Sequence, residues 1–301
     1  MLRNSCTKYP FYFLTFAIFL LTQFASGDDD DFRWQDASAE VDLLPFKQTF
    51  IDSLKNAYDI KPQAALRNLG KSPICKNETL VYQVSWGPFN AGNVILTTTY
   101  DSVNNIIELG GKALSNNFVG AFYKMRDYVI SRVDASGLYP LFFEQHLREG
   151  KKFKRDSWIL YDLINNQMHV REKKYMLYEA PQFTHDYLSI LYYIRNMKPV
   201  SGDTFTVNLY INSKIHPMFF KCKEEVKLQT DNGPINCFRI EPRLAGEGAN
   251  FNKRDKLEVW LSNDSVPTPI VIKSKIKVGS LNAKLIWHNQ KDKIIPLNPK
   301  L

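Results

Sequence analysis

The sequence predicts a mainly β protein built on one large, curved antiparallel sheet, an open or half barrel of about twelve strands. One buried helix and an N-terminal helical extension complete the predicted fold. The first observation is that short alternating segments recur about every 8 to 12 residues with turn residues between them, which is typical of sandwiches and barrels. The second is a single internal helix that is apolar on nearly all sides, and such a helix belongs inside the curve of the sheet.

The third observation is the stretch Leu257–Trp287, where apolar and polar residues alternate in three successive runs. Successive side chains of a strand point to opposite faces, so each run predicts a strand with one apolar face. Turn residues at 263–264 and 279–280 separate the runs. The opposite face is basic and carries Lys273, Lys275, Lys277 and Lys284. The stretch therefore predicts an antiparallel meander, and it contains no catalytic motif.

Residues 1–27 have the three parts of a secretory signal. Arg3 and Lys8 supply the positive start, residues 11–24 the apolar core, and Ala25-Ser26-Gly27 a cleavage site. The core falls short of the ~20 apolar residues of a membrane span, and an uncleaved anchor is the alternative. We expect a periplasmic or secreted protein, cleaved near Gly27. Losing Arg3 and Lys8 would lower the formal net charge from +8 to +6, which favours an anionic partner or surface.

Residues 28–73 differ in character from the rest of the chain. An acidic run at 28–31 suits a solvated terminus, whereas Phe46, Phe50, Leu54 and Tyr58 recur at helical spacing. We expect a short amphipathic helix over 45–58 that packs against the following domain; a mobile lid or a partner-binding helix is the alternative. The predicted β-rich domain covers residues 74–290, and residues 291–301 form a C-terminal tail.

Within the predicted domain, β-branched and aromatic residues alternate in successive short runs. Before the meander, the predicted strands are 80–86, 93–100, 106–114, 125–133, 141–148, 153–161, 167–176, 205–211, 218–228 and 235–240. Residues 118–123 form a short helical or irregular crossing. The buried helix spans residues Asp186 to Met197, with Thr184 as its cap and Pro199 as its end.

Several segments form an ordered pattern over roughly residues 75–288. They are Leu80-Val81-Tyr82-Gln83-Val84-Ser85-Trp86-Gly87 with Ala91-Gly92, Asp134 with Gly137-Leu138-Tyr139-Pro140, Arg148-Glu149-Gly150, the D-x-L-S-x-x-Y-Y-x-R run from Asp186 to Arg195, Val259-Trp260-Leu261-Ser262 with Asp264 and Pro269, and Gly279-Ser280-Leu281 with Ala283 and Leu285. This pattern resembles the bacterial exported family known as domain of unknown function 3108. The resemblance implies an envelope protein with a β-rich fold, and it transfers no catalytic residue. The predicted fold is also similar to that of periplasmic lipid and lipoprotein carriers, which is an analogy of fold alone.

No catalytic residue, cofactor or metal site is predicted, because the reactive side chains are dispersed. The five histidines form no H-x-x-x-H pair, no G-x-S-x-G sequence occurs, and the cysteines lack C-x-x-C spacing. The acidic residues that could form a catalytic pair are assigned instead to ion pairs with arginines; they are Asp127, Glu144, Asp156 and Asp186.

A disulfide between Cys222 and Cys237 is left open by the sequence. The two cysteines flank a predicted hairpin turn, but an Asn232-Gly233 turn would place Cys237 opposite residue 228. Three cysteines after residue 27 cannot all pair within one chain.

The predicted function is non-enzymatic binding of an apolar or amphiphilic ligand, such as a lipid or a lipoprotein, in the concave face of the sheet. Aromatic residues make up 13% of the chain, and aromatic-lined concavities suit such ligands. The candidate lining residues are Tyr82, Trp86, Tyr123, Leu188, Tyr192 and Trp260. A buried Arg195 needs a charged partner, so a structural ion pair is its default role, and an anion contact with a ligand head group is the alternative for which it is named as a candidate.

The four lysines of the meander are candidate anion-binding residues, or they simply keep the sheet from aggregating. The expected partners are a lipid or amphiphile, an envelope protein, and an anionic membrane surface touched peripherally. Nucleic acid is not expected, because no recognised nucleic-acid-binding module is present. Two alternative functions remain open. The first is an envelope assembly scaffold that binds a protein partner through a sheet edge and the 28–73 helix. The second is a glycan-acting enzyme, which would need two carboxylates facing one cleft.

Overall fold

The computed structural model describes residues 66–70, 76–244, 257–275, 279–290 and 293–296. The predicted signal sequence, the predicted helix over 45–58 and Lys277 lie outside the described residues. In the described part, fifteen strands belong to a single sheet, and two helices interrupt them.

The elements follow the predicted alternation, with burial changing residue by residue along strands such as Arg126–Asp134. The strands are β1 (Thr79–Trp86), β2 (Phe89–Asp101), β3 (Ile106–Ser115), β4 (Arg126–Asp134), β5 (Pro140–Glu149), β6 (Phe153–Asp162), β7 (Gln167–Arg171), β8 (Tyr175–Glu179), β9 (Thr204–Ile211), β10 (Lys214–Thr230), β11 (Gly233–Leu244), β12 (Leu257–Ser262), β13 (Pro269–Lys275), β14 (Ser280–Gln290) and β15 (Lys293–Pro296). The helices are α1 (Asn117–Tyr123) and α2 (Ser189–Met197).

Two meanders joined side by side make up the sheet. The strand order is β8-β7-β6-β5-β4-β3-β2-β1-β14-β13-β12-β11-β10-β9, with β15 paired to β14. Every ladder is antiparallel. The first meander runs from β1 to β8, the second from β9 to β14, and the β1–β14 ladder joins them. The predicted large, curved antiparallel sheet with a buried helix is confirmed, with more strands than expected.

The two outer strands of this sheet approach each other without forming a continuous ladder. The segment before α2 bridges the gap, because His185 donates its N–H to the Asn208 carbonyl and its own carbonyl accepts from Tyr210, both at 2.8 Å. Across the same seam, the rings of Tyr178 on β8 and Tyr210 on β9 lie 5.5 Å apart. The sheet is therefore rolled until its edges meet, and a few contacts close it.

Helix α2 fills much of the concave face. Its buried side chains join the main core with residues from both meanders, including Leu80, Leu209 and Leu285. The predicted cap was wrong: the Thr184 hydroxyl donates to the Pro181 carbonyl. Instead, Asp186 Oδ1 accepts the N–H groups of Leu188 and Ser189 at 2.8 and 2.7 Å, so the helix begins at Ser189, later than expected.

Three local predictions need correction. The single strand expected over 167–176 is two strands, because residues 172–174 form a turn. The tail expected after residue 290 contributes β15. The β10–β11 hairpin turns at Asp231-Asn232, since Thr230 pairs with Gly233.

The hairpin register also answers the disulfide question for the described cysteines. Cys237 pairs with Val226, two residues from the expected position 228, and Cys222 pairs with Ile240. Both thiols are free and buried in the core. Burial raises the pKa of Cys222 to about 11 and that of Cys237 to about 12, so both thiols stay protonated at neutral pH.

We name the two ends of the rolled sheet. The ion-pair end, named for the Arg195–Glu78 pair, is where β1 begins and α2 ends. The segment 66–70 lies across this end, with the Arg67 guanidinium 4.3 and 4.7 Å from the ring centroids of Phe183 and Tyr193. At the cavity end lie α1 and the turns that follow β1, β5, β7 and β9.

Candidate ligand-binding site

Three of the predicted site residues meet at the ion-pair end: Tyr82, Tyr192 and Arg195, all buried. Arg195 Nη1 and Nη2 donate to the two carboxylate oxygens of Glu78 at 2.6 and 2.8 Å. Arg195 Nε donates to the Pro267 carbonyl at 2.6 Å, so each of its nitrogens already has a protein partner. The Tyr192 ring lies 5.0 Å from the guanidinium carbon, and the group is fully enclosed.

The charges of this cluster balance one another. Burial opposes ionisation of Glu78, but Arg195, with His288 at 3.1 Å, outweighs it and lowers the pKa of Glu78 to about 2. The same carboxylate raises the pKa of Arg195 although burial works against the charge. A buried pair with this two-point geometry holds the fold and leaves no donor directed at a ligand. The structure thus places Arg195 in an ion pair, which is the default role that the sequence gave it.

The other aromatic and apolar candidates are scattered. Leu188 is buried in the main core. Trp86 is partly buried at the cavity end, beside Gly279, where an added Cβ would lie 3.0 Å from the indole Nε1. Trp260 pairs with Val271 on β13 and is 8% exposed. It belongs to the same buried core cluster as Tyr82, so its ring packs in the interior.

The candidate lysines do not form one cluster. Lys273 is partly buried opposite Glu258 and Asn282, and Lys284 is partly buried opposite Gln83 and Val271. Lys275 is exposed at the cavity end. The basic face of the meander is thus interrupted by neutral and acidic neighbours.

A gap in the packing of the concave face lies at the cavity end. It is a cavity of about 30 Å³, which is room for one or two water molecules. Its lining combines apolar and polar side chains: Phe143, Gln145, Leu147, Arg155, Ser157, Ile159, Asp186, Tyr187, Tyr210, Ile211 and Asn212. The Tyr187 hydroxyl donates to Gln145 Oε1 at 3.0 Å, and Asp186 Oδ2 accepts from the Ser131 hydroxyl at 2.7 Å.

Two neighbouring acids, one buried and one partly buried, lie beside this cavity. Asp127 on β4 is 1% exposed, and the partly buried Glu149 ends β5, where it bridges Met125 just before β4. One oxygen of each is held: Asp127 Oδ1 accepts from Arg148 N–H at 2.8 Å, and Glu149 Oε2 accepts from the Tyr123 hydroxyl at 2.9 Å. The other two, Asp127 Oδ2 and Glu149 Oε1, have no hydrogen-bond partner in the described part of the chain.

The two acids favour their protonated forms. Burial raises the pKa of Asp127 well above its usual range, and the Glu149 carboxyl adds to this effect. Burial also raises the pKa of Glu149, although the Tyr123 hydrogen bond opposes it. Neighbouring acids of this kind retain a proton at a pH where isolated carboxyls have lost it. The site can therefore accept hydrogen bonds and exchange a proton in an apolar surrounding.

The sequence analysis named Tyr123, which bonds Glu149, only as a lining residue. It named Asp127 only as an ion-pair residue and did not name Glu149 as a site residue. Asp127 and Glu149 are 22 positions apart, and only the β4–β5 ladder brings them together. No local spacing carries that information, but the register of the two predicted strands could have indicated it.

Two further findings concern the described residues. They contain no group of three or more His, Cys, Asp or Glu side chains that could hold a metal ion. Neither α1 nor α2, the helices in the described ranges, is long and apolar enough to cross a membrane.

The fold and the site define a β-barrel-like protein with a helix packed inside it and a small cavity of mixed apolar and polar lining at one end. The chain belongs to the family described as protein of unknown function, DUF3108, which it matches over residues 81–286. It is also similar to the crystal structure of a beta-barrel-like protein of domain of unknown function DUF1849 from Brucella abortus, with 7% identity and a TM-score of 0.49 over 74% of this chain and 98% of that one. No curated protein matches the chain.

Proposed function

We propose that this chain is an exported, non-enzymatic protein of the cell envelope that binds an amphiphilic ligand at the cavity end of its sheet. The observation that supports the proposal is the mixed lining of the cavity. The apolar side chains of Phe143, Leu147 and Ile159 line the cavity together with the polar groups of Gln145 and Tyr187. A pocket of this kind suits a ligand with one apolar and one polar part.

The filled interior decides where such a ligand would sit. Helix α2 occupies the concave face where a lipid carrier would enclose an acyl chain. The cavity of about 30 Å³ admits only a small polar part of a ligand as it stands. The apolar part would remain at the rim of the cavity end, so the proposal moves the ligand from the centre of the sheet, where the sequence placed it, to that end.

Export rests on the sequence of residues 1–27 and on the family resemblance. It is tested by fractionating the source cells and sequencing the N-terminus of the purified protein. Recovery from the envelope or the medium with a start near residue 28 is expected. Recovery from the cytosol with Met1 retained would overturn this part of the proposal.

Ligand binding is tested by native mass spectrometry of the protein purified from its own envelope. A bound small molecule is expected on the wild-type chain and on Ser85→Leu, a partly exposed position away from the cavity lining. The adduct should be lost in Ser157→Leu, which fills the cavity. A ligand-free wild-type protein, or an adduct that survives in Ser157→Leu with an unchanged melting temperature, would refute binding at this cavity.

A glycan-acting enzyme is a second candidate, and the Asp127–Glu149 pair is the observation that favours it. Hydrolysis of a glycosidic bond needs one protonated and one ionised carboxyl. The burial of Asp127 argues against direct contact with a sugar. Isolated envelope glycans incubated with wild-type, Asp127→Asn and Glu149→Gln proteins separate the two: turnover by the wild type alone supports the enzyme, and no turnover by any of them removes it.

A further inference from the structure

Three large apolar side chains are exposed together at the cavity end. Phe122 is 74% exposed, Phe118 44% and Phe89 43%. Single exposed apolar residues are ordinary on protein surfaces, but several at one place mark a surface that meets an apolar partner. The Phe118 and Phe122 rings lie 5.7 Å apart in an edge-to-face arrangement, so the first two side chains form a continuous patch on α1.

The patch is held rigidly on the sheet. Asn116 caps α1 by accepting the Val119 N–H at 2.9 Å. The same residue ties α1 to the start of β2, because its N–H donates to the Ala91 carbonyl at 3.2 Å and its amide to the Asn90 carbonyl at 3.1 Å. Val119 is buried beneath. These bonds hold the backbone of α1 against the start of β2, the strand that Phe89 begins.

The same end of the sheet is strongly basic. The exposed charged residues on its described turns and at the adjoining ends of β10 and β13 are lysines: Lys124, Lys151, Lys152, Lys173, Lys174, Lys214 and Lys275. The β5–β6 turn lies next to α1, since Gly150 donates its N–H to the Lys124 carbonyl at 2.8 Å. The acidic residues nearby are engaged, Glu149 by Tyr123 and Glu172 by Arg155.

The opposite end differs in charge and in surface. The ion-pair end exposes four aspartates on its described turns and strand ends: Asp101, Asp203, Asp231 and Asp264. Its exposed lysines in the described residues there are Lys76 and Lys198. The rolled sheet is therefore electrically polar along its length, with the aromatic patch at the positive end. An anionic surface would orient the molecule with that end first.

We propose that the cavity end docks on an anionic lipid bilayer, with Phe89, Phe118 and Phe122 at the boundary of headgroups and acyl chains and the surrounding lysines on lipid phosphates. Exposed aromatic side chains beside lysines are the composition that favours such an interface. Docking needs no ligand in the cavity, so it stands independently of the proposed function. If both hold, the cavity opens toward the membrane from which an amphiphile would enter.

The test is cosedimentation of the exported chain, purified without detergent, with vesicles. Wild-type protein should bind vesicles of phosphatidylglycerol and phosphatidylcholine in equal parts, and should bind pure phosphatidylcholine vesicles at least tenfold more weakly. Replacing Lys124, Lys151 and Lys152 by Gln should weaken binding to the anionic vesicles at least tenfold, because each lysine near such a surface contributes about fivefold. Added salt should weaken wild-type binding as well.

The aromatic contribution is tested with Phe89→Ser, Phe118→Ser and Phe122→Ser combined, which should lower binding at least tenfold. Phe122→Ser alone serves if the triple variant does not fold. The matched controls are Phe219→Ser, which is 50% exposed on β10, and the combined Gln variant of Lys76, Lys198 and Lys221, all exposed away from the cavity end. Both controls should bind as the wild type does.

Three outcomes would overturn the proposal. Wild-type protein that stays in the supernatant with both kinds of vesicle shows that the surface does not meet lipid. Controls that lose as much vesicle binding as the lysine and phenylalanine variants of the cavity end show that binding to the vesicles is unspecific. A wild-type dimer that the Phe→Ser variants convert to monomer, without any vesicle binding, assigns the patch to a second copy of the chain.

Discussion

The ion-pair end and the cavity end both bury ionisable side chains, but they satisfy them differently. Glu78 and Arg195 meet through two parallel hydrogen bonds, and the guanidinium has no nitrogen without a partner. Asp127 and Glu149 each leave one oxygen without a partner in the described residues. A fully satisfied polar cluster rigidifies a fold, whereas perturbed and partly satisfied acids beside a cavity mark a candidate site. The contrast distinguishes a structural ion pair at one end of the sheet from a candidate site at the other.

Arg195→Met should produce the largest loss of stability, about 3 to 5 kcal/mol, because it leaves the Glu78 carboxylate buried and uncompensated. Urea unfolding followed by circular dichroism measures the change. The control is Arg132→Met, whose partner Glu108 is 40% exposed at the side chain; its loss should stay within about 1 kcal/mol. Equal losses in the two variants would mean that the ion-pair end is no more structural than the surface.

Acid should weaken the ion-pair end next. The pKa of Glu78 is about 2 in the folded chain against 4.5 for an unperturbed glutamate, so the folded state gives up this proton more readily. The contribution of Glu78 is complete above about pH 4.5 and is lost as the pH falls toward 2, which amounts to about 3 kcal/mol. Urea unfolding of wild-type and Glu78→Gln chains over this range checks it. An equally steep acid loss in Glu78→Gln would assign the effect to other carboxyls.

The cavity end should respond to pH in the opposite direction. Because the pKa of Asp127 is raised by burial and by Glu149, the unfolded chain releases this proton at a lower pH than the folded one. Stability is therefore lost as the pH rises above 3.8, the pKa of an unperturbed aspartate. Asp127→Asn should remove this loss. In urea unfolding, the midpoint of Asp127→Asn should exceed the wild-type midpoint at about pH 8, whereas at about pH 4 it should not. Glu179→Gln, an exposed carboxyl on β8, should change neither midpoint.

Phe122→Ser should have the smallest effect on stability, within about 0.5 kcal/mol, because the ring is 74% exposed. Thermal unfolding gives the comparison with Tyr82→Phe, which removes the buried hydroxyl that donates to the Pro269 carbonyl at 2.7 Å and should cost about 1 kcal/mol. A larger loss for Phe122→Ser than for Tyr82→Phe would mean that the aromatic patch supports the fold.

The fold was largely predictable because strands carry their own signal. Period-two alternation placed the strands before and after α2, and turn residues bounded them within a few positions. The errors arose where alternation continues through a turn, as at residues 172–174, or where turn chemistry allows two registers, as at Asp231-Asn232-Gly233. In both places the tertiary pairing, and not the local sequence, selects the turn.

The site was less predictable because its parts are distant in the chain. Arg195 was expected to need a charged partner, but Glu78 is 117 residues away. The exposed rings of α1 gave no signal at all, since a short crossing with Phe118 and Phe122 looks the same whether buried or exposed.

The arrangement of the two meanders has a consequence for synthesis. Within each meander a strand pairs only with strands next to it in the sequence. The β1–β14 ladder, in contrast, joins residues far apart in the chain, such as Thr79 and Asn289. A growing chain can therefore complete eight strands long before the partner of its first strand exists. During that interval the open edge of β1 invites pairing with other chains, so truncation before β14 should yield an aggregating half and not a smaller folded protein.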